Sequence, residues 1–131
     1  MADGEVWFEG GDFENAREFY ERAFKLIPEP KQEFHESTQV IGALADCFYF
    51  LKDYNKALAA LEDVLRCPGG GANPFIRLRR GQVYHHLGDS KKAGIELTTA
   101  YFNGGTEVFE GEEEYLALIS DVVSEFPEQS T

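Results

Sequence analysis

Cations are scarce in this 131-residue chain: Lys and Arg number 12 against 24 Asp and Glu, a formal charge of −12. A surface that acidic repels phosphate backbones, which disfavours nucleic-acid binding. Cysteine is scarce too, with only Cys47 and Cys67, and neither stands in a pair at metal-ligand spacing. Met1-Ala2-Asp3-Gly4-Glu5 has neither a basic flank nor an apolar run, so an export signal is not expected. The longest apolar stretch, Val40 to Leu51, contains Asp46 and is too short to span a bilayer. A cytoplasmic protein with reduced thiols and no membrane contact is expected.

What is present is a repeat. Three segments share one pattern: Gly11-Asp12-Phe13 with Ala16, Tyr20 and Ala23; Lys52-Asp53-Tyr54 with Ala57, Leu61 and Val64; Gly88-Asp89-Ser90 with Ala93, Leu97 and Ala100. Each has a turn residue, an Asp suited to cap a helix, then apolar residues at helical spacing. Upstream of each Asp lie aromatics, Trp7-Phe8, Phe48-Tyr49 and Tyr84, and three residues before them the small Gly4, Ala45 and Gly81. A small residue there lets two helix backbones approach closely. Asp12 and Asp53 are 41 residues apart, and Asp53 and Asp89 are 36 apart, with the connectors around Pro28–Pro30 and Gly69-Gly70-Gly71 absorbing the excess.

From Gly4 to Gly105 the chain therefore resembles the tetratricopeptide repeat family, whose period is about 34 residues. The resemblance implies an all-α, right-handed solenoid. It would form a single domain over 1–131, with three helix pairs at about 1–30, 38–71 and 74–105. Departures are Lys52 in place of a helix-ending Gly, Arg80 in place of an apolar residue, and a first helix without its opening half. Lys31 to Leu51 has no Pro or glycine run, which allows a long helix. Tyr115, Leu116, Ile119, Val122, Val123 and Phe126 trace one amphipathic helix over about 112–126. With Glu112, Glu113 and Glu114 in its first turn, it would cap the last repeat and bring the total to about seven helices.

Charge is uneven. Residues 1–36 hold 4 bases against 10 acids, and 106–131 hold none against 8, whereas 74–105 hold 5 against 2. Arg77, Arg79 and Arg80 are expected to solvate the third repeat and pair with the acidic tail. An anion or phosphopeptide site is the functional alternative. His85-His86 invites a metal reading, but neighbours on a helix diverge by about 100° and cannot share an ion as i, i+4 residues do. The three glycines lack the Lys-Ser/Thr of a phosphate loop and read as a flexible connector. No catalytic set emerges, and neither an enzyme nor a cofactor is expected.

By the family resemblance, the inner face carries Glu5, Phe8 and Glu9, then Gln39, Asp46, Tyr49 and Phe50, then Leu78, Gln82, His85 and His86. Packing against a neighbouring helix accounts for Tyr49 and Phe50 as well as binding does. Members that clamp the acidic tails of heat-shock chaperones use Lys, Arg and Asn where this chain has Glu5, Asp46 and Gln82, so that role is not expected. Asn73 to Gln82, Ala100-Tyr101, Glu107 to Glu110 and Tyr115-Leu116 also resemble small stand-alone bacterial repeat proteins often encoded near toxins. This implies a module binding one dedicated protein partner, as an immunity protein or chaperone, and the acidic segments with Glu5, Glu9 and Asp46 around Phe8, Tyr49 and Phe50 are expected to select a basic one. A general scaffold is the alternative.

Overall fold

The computed structural model describes residues 2–127, with the side chains of Ala2 and Asp3 excepted. The expected repeat start at Met1, like residues 128–131, lies outside them. The helices are α1 (Ala2–Glu9), α2 (Phe13–Lys25), α3 (His35–Phe50), α4 (Tyr54–Val64), α5 (Pro74–His86), α6 (Ser90–Gly104), α7 (Glu113–Ala117) and α8 (Ser120–Glu125). Short 3₁₀ turns occupy Lys31–Glu33 and Thr106–Phe109, and no strand occurs among the described residues. The chain divides into two compact units, Met1–Gly71 and Ala72–Thr131.

One turn is built three times. The Asp12, Asp53 and Asp89 carboxylates accept from the backbone N–H groups of Asn15, Lys56 and Lys92, at 3.2, 3.3 and 3.1 Å. The backbone N–H groups of the same aspartates donate to Trp7, Phe48 and Tyr84 carbonyls at 2.8, 2.8 and 2.9 Å. Each Asp thus closes one helix and opens the next. The residue before it must take a left-handed conformation: φ is 81° at Gly11, 63° at Lys52 and 82° at Gly88. Lys52 does so despite the strain on its Cβ.

The small positions pack as their size requires. A Cβ on Gly4 would lie 2.6 Å from the Tyr20 ring, and one on Gly81 would lie 2.6 Å from Leu97. Ala45 is fully buried. In the first unit Ala16, Tyr20, Ile27, Val40, Leu44 and Cys47 form the core. In the second, Leu97, Ala100 and Tyr101 of α6 pack with Leu78, Val108, Phe109, Tyr115 and Ile119. The Tyr101 hydroxyl donates to the Phe126 carbonyl at 2.8 Å, fastening the end of the tail.

Four expectations are corrected. The tail is two short helices, because the chain turns at Leu118–Ile119, where β-branched residues and Ser are weak helix formers. The second pair's opening helix begins at His35, with Lys31–Glu33 in a 3₁₀ turn and Phe34 extended. There the Lys31 ammonium donates to the Phe24 and Ile27 carbonyls at the end of α2. The glycine connector is not slack throughout: Gly69 is exposed, but Gly70 is buried, and a Cβ on it would meet the Val64 carbonyl oxygen at 1.8 Å. Finally, Arg80 does not solvate the surface. It is buried with its Nε 3.2 Å from Glu96 Oε1, while Arg77 reaches Glu96 Oε2 at 3.1 Å. A carboxylate on α6 shared by two guanidinium groups lets a cation occupy an apolar position.

Candidate functional site

In the first unit, α1 and α3 bring four of the inner-face residues together. Glu5, Phe8, Glu9 and Asp46 line one open hollow of about 140 Å³, with Tyr20 and Ala43. Glu5 and Glu9 are exposed and one helical turn apart on α1, and Asp46 faces the same hollow from α3. Ala43 leaves room between the helices, while the buried Tyr20 supplies aromatic wall from α2. Burial foremost pushes the Tyr20 phenol above its ordinary pKa, with the neighbouring Cys47 and then the carboxylates of Glu5 and Asp46 adding to it. The same carboxylates that reach this ring make the hollow a place of negative potential.

Beside the hollow runs a chain of aromatic rings. Phe8 meets Phe13 edge-on at 5.1 Å and Phe50 at 5.5 Å, and Phe13 stacks on Phe50 at 4.9 Å. Tyr49 continues it, 5.2 Å from Phe50 and 5.9 Å from Tyr54. Phe50 remains 42% exposed, so the cluster is both packed against its neighbours and open to solvent. Phe13 and Tyr54 follow the capping aspartates and read in the sequence only as part of the turn. Their recurrence beside an exposed aromatic on the preceding helix was the signal available. Gln39, also on α3, lines a different hollow with Leu26 and Phe34.

The inner-face residues of α5 fare differently. Leu78 is buried in the second unit's core with Tyr115 and Ile119, so the tail covers it as well as α6. Gln82 is fully buried; its carbonyl accepts from Arg79 Nη1 at 2.9 Å, and its amide nitrogen has no hydrogen-bond partner among the described residues. Neither side chain offers surface to a partner. His85 and His86 are exposed but engaged by the tail: the Tyr115 ring stands 5.7 Å from His85, and its hydroxyl is 3.3 Å from His86 Nε2.

The thiols are poorly placed for chemistry. Cys47 is fully buried, and burial with the Asp46 charge beside it pushes its pKa up to about 12. Cys67 is buried as well, and burial and then Asp63 raise its pKa too. A thiol held protonated is a weak nucleophile. Among the described residues, no helix is long and apolar enough to cross a membrane.

Residues 8–30 and 43–66 each match a model of the tetratricopeptide repeat. The two matches begin at Phe8 and Ala43 and contain the first two capped turns. No curated protein matches the chain. The α5–α6 pair repeats the same turn and small-residue contact. Two stretches of the chain thus carry the tetratricopeptide repeat, whose helix pairs indicate a protein–protein interaction module.

Proposed function

We propose that the first unit binds one dedicated, basic protein partner through the hollow formed by Glu5, Phe8, Glu9 and Asp46 and the aromatic rings beside it. The observation that carries this reading is the convergence of three carboxylates on a hollow walled by Phe8 and Tyr20. A Lys or Arg side chain entering it meets charge complementarity at its head and an aromatic face along its stem. Tyr49 and Phe50 supply the apolar area on which most binding energy rests. The carboxylates chiefly speed encounter. A toxin that cleaves nucleic acid presents a cationic substrate site, so an immunity or chaperone protein neutralising such a toxin fits this surface. The role is non-enzymatic and needs no cofactor.

Affinity capture from the native host, followed by surface plasmon resonance with the captured protein, tests the reading. Asp46→Lys is expected to slow association, and added salt to do the same. Tyr49→Ala with Phe50→Ala is expected to speed dissociation while circular dichroism shows the fold intact. An acidic partner, or binding indifferent to salt and to both aromatics, would overturn it. Capture of many unrelated proteins would favour a general scaffold.

A further inference from the structure

The acidic hollow of the first unit holds a polar group that its own chain leaves unused. Tyr20 is 3% exposed and lines the hollow from α2. A Cβ on Gly4 would lie 2.6 Å from Tyr20 Cζ, the carbon that bears the hydroxyl. The phenol end of the ring therefore reaches α1 one residue from Glu5. Among the described residues this hydroxyl makes no hydrogen bond, although a tyrosine so enclosed ordinarily finds a partner. Arg17, on the same helix as Tyr20, pairs within α2, with Glu14 and Glu21. The hollow thus gathers acceptors and one unused hydroxyl, and what complements them is a cation rich in donors.

The two basic side chains differ in how they use such a place. An ammonium is a compact charge whose three N–H donors diverge from one nitrogen. A guanidinium sets its donors in one plane, a fork that fits a single carboxylate side-on. Here the acceptors stand on three helices: Glu5 and Glu9 on α1, the Tyr20 hydroxyl on α2 and Asp46 on α3. Acceptors placed around a small hollow suit the diverging donors better than the flat fork. Burial and the nearby carboxylates keep the phenol protonated, so its oxygen accepts from a cation while its proton turns to a carboxylate. Phe8 supplies apolar wall to a methylene stem.

We propose that the partner anchors in this hollow by a lysine, its ammonium held among Glu5, Asp46 and the Tyr20 hydroxyl in preference to an arginine. This rests on the acidic face of the first unit being the binding surface, and names the group that the face selects. Acetylation of that lysine removes its charge and two of its three N–H donors, and so releases the partner.

The probes are three capped pentapeptides, Gly-Leu-X-Leu-Gly, in which X is lysine, arginine or Nε-acetyl-lysine. Each is titrated into the isotope-labelled chain, and the NMR shifts of the Gly4, Ala43 and Asp46 amides report occupancy. The lysine peptide is expected to give saturable shifts there, the arginine peptide to bind about tenfold more weakly, and the acetylated peptide to give none. Tyr20→Phe removes only a hydroxyl without a partner in the fold, so circular dichroism is expected to show the chain intact. It is expected to weaken the lysine peptide about tenfold, the contribution of a hydrogen bond to a charged group, and to narrow its advantage over arginine. Arginine binding as tightly as lysine, or Tyr20→Phe binding lysine unchanged, would overturn the lysine assignment and leave the acidic face as the binding surface. An acetylated peptide that binds as well as lysine would overturn both, because charge would then play no part. No saturable shift with either cationic peptide would overturn the lysine anchor, and Asp46→Lys against the captured partner would then decide separately whether the face fails too.

Discussion

Glu5, Asp46 and Gln82 stand at one position of the repeat, Phe8, Tyr49 and His85 at a second, Glu9, Phe50 and His86 at a third. In the first unit these positions line an open hollow and an aromatic chain. In the second, Gln82 is fully buried and His85 and His86 lie against Tyr115. The turns, caps and small-residue contacts are the same in both. What differs is the chain that follows: the segment after Gly105 folds back over Leu78 and α6. A repeat position therefore becomes a binding surface or a core surface according to what covers it. The helix pair alone does not decide.

Deleting residues 112–131 should break the comparison most severely, by uncovering the second unit. Loss of Tyr115 and Ile119 alone removes about 3–6 kcal/mol of apolar burial, a large share of a typical domain's stability. Thermal melting followed by circular dichroism should show a marked fall; an unchanged melting temperature would refute the covering role. Next is Glu96→Ala, which leaves Arg80 buried beside Arg77 without their shared carboxylate. A loss of about 3–5 kcal/mol in urea unfolding is expected, whereas Ala60, the first unit's counterpart to Glu96, carries no such charge.

The glycines give a sharper contrast. Gly81→Leu presses on a core side chain, Leu97, and should cost about 1–3 kcal/mol. Gly70→Ala presses on backbone, the Val64 carbonyl, so it should cost at least as much although only one methyl is added. A neutral Gly70→Ala in chemical denaturation would restore the flexible-connector reading. The smallest effect is expected at Lys52, which holds φ 63° where the other two turns have glycine. Lys52→Gly should stabilise by less than about 1 kcal/mol, the relief of left-handed strain being partly offset by glycine's entropy. A lower melting temperature would contradict this.

Local signals carry most of the fold. A capping Asp, a turn residue before it and a small residue facing the next helix are each readable within a few positions. Long-range packing is not. Gly70 belongs to a triplet that reads as slack, because nothing nearby reveals that it lies on the Val64 carbonyl. Arg80 reads as solvated because its counter-charge, Glu96, lies on the following helix and resembles a surface residue there. The tail's periodicity shows an apolar stripe but not that it would cover Leu78. In the candidate hollow, Glu5, Phe8, Glu9 and Asp46 are residues that the family resemblance puts on one face. Tyr20 and Ala43 are not, since their usual role is packing.

The central claim is that the open face of the first unit, rather than the covered face of the second, meets the partner. Association and dissociation rates of the captured partner with Asp46→Lys and with His85→Ala test it most directly. The account expects Asp46→Lys to slow association about tenfold or more at low salt, with the difference shrinking as salt screens it, and His85→Ala to change neither rate. Slowed association or faster release in His85→Ala, with Asp46→Lys behaving as the parent, would contradict it.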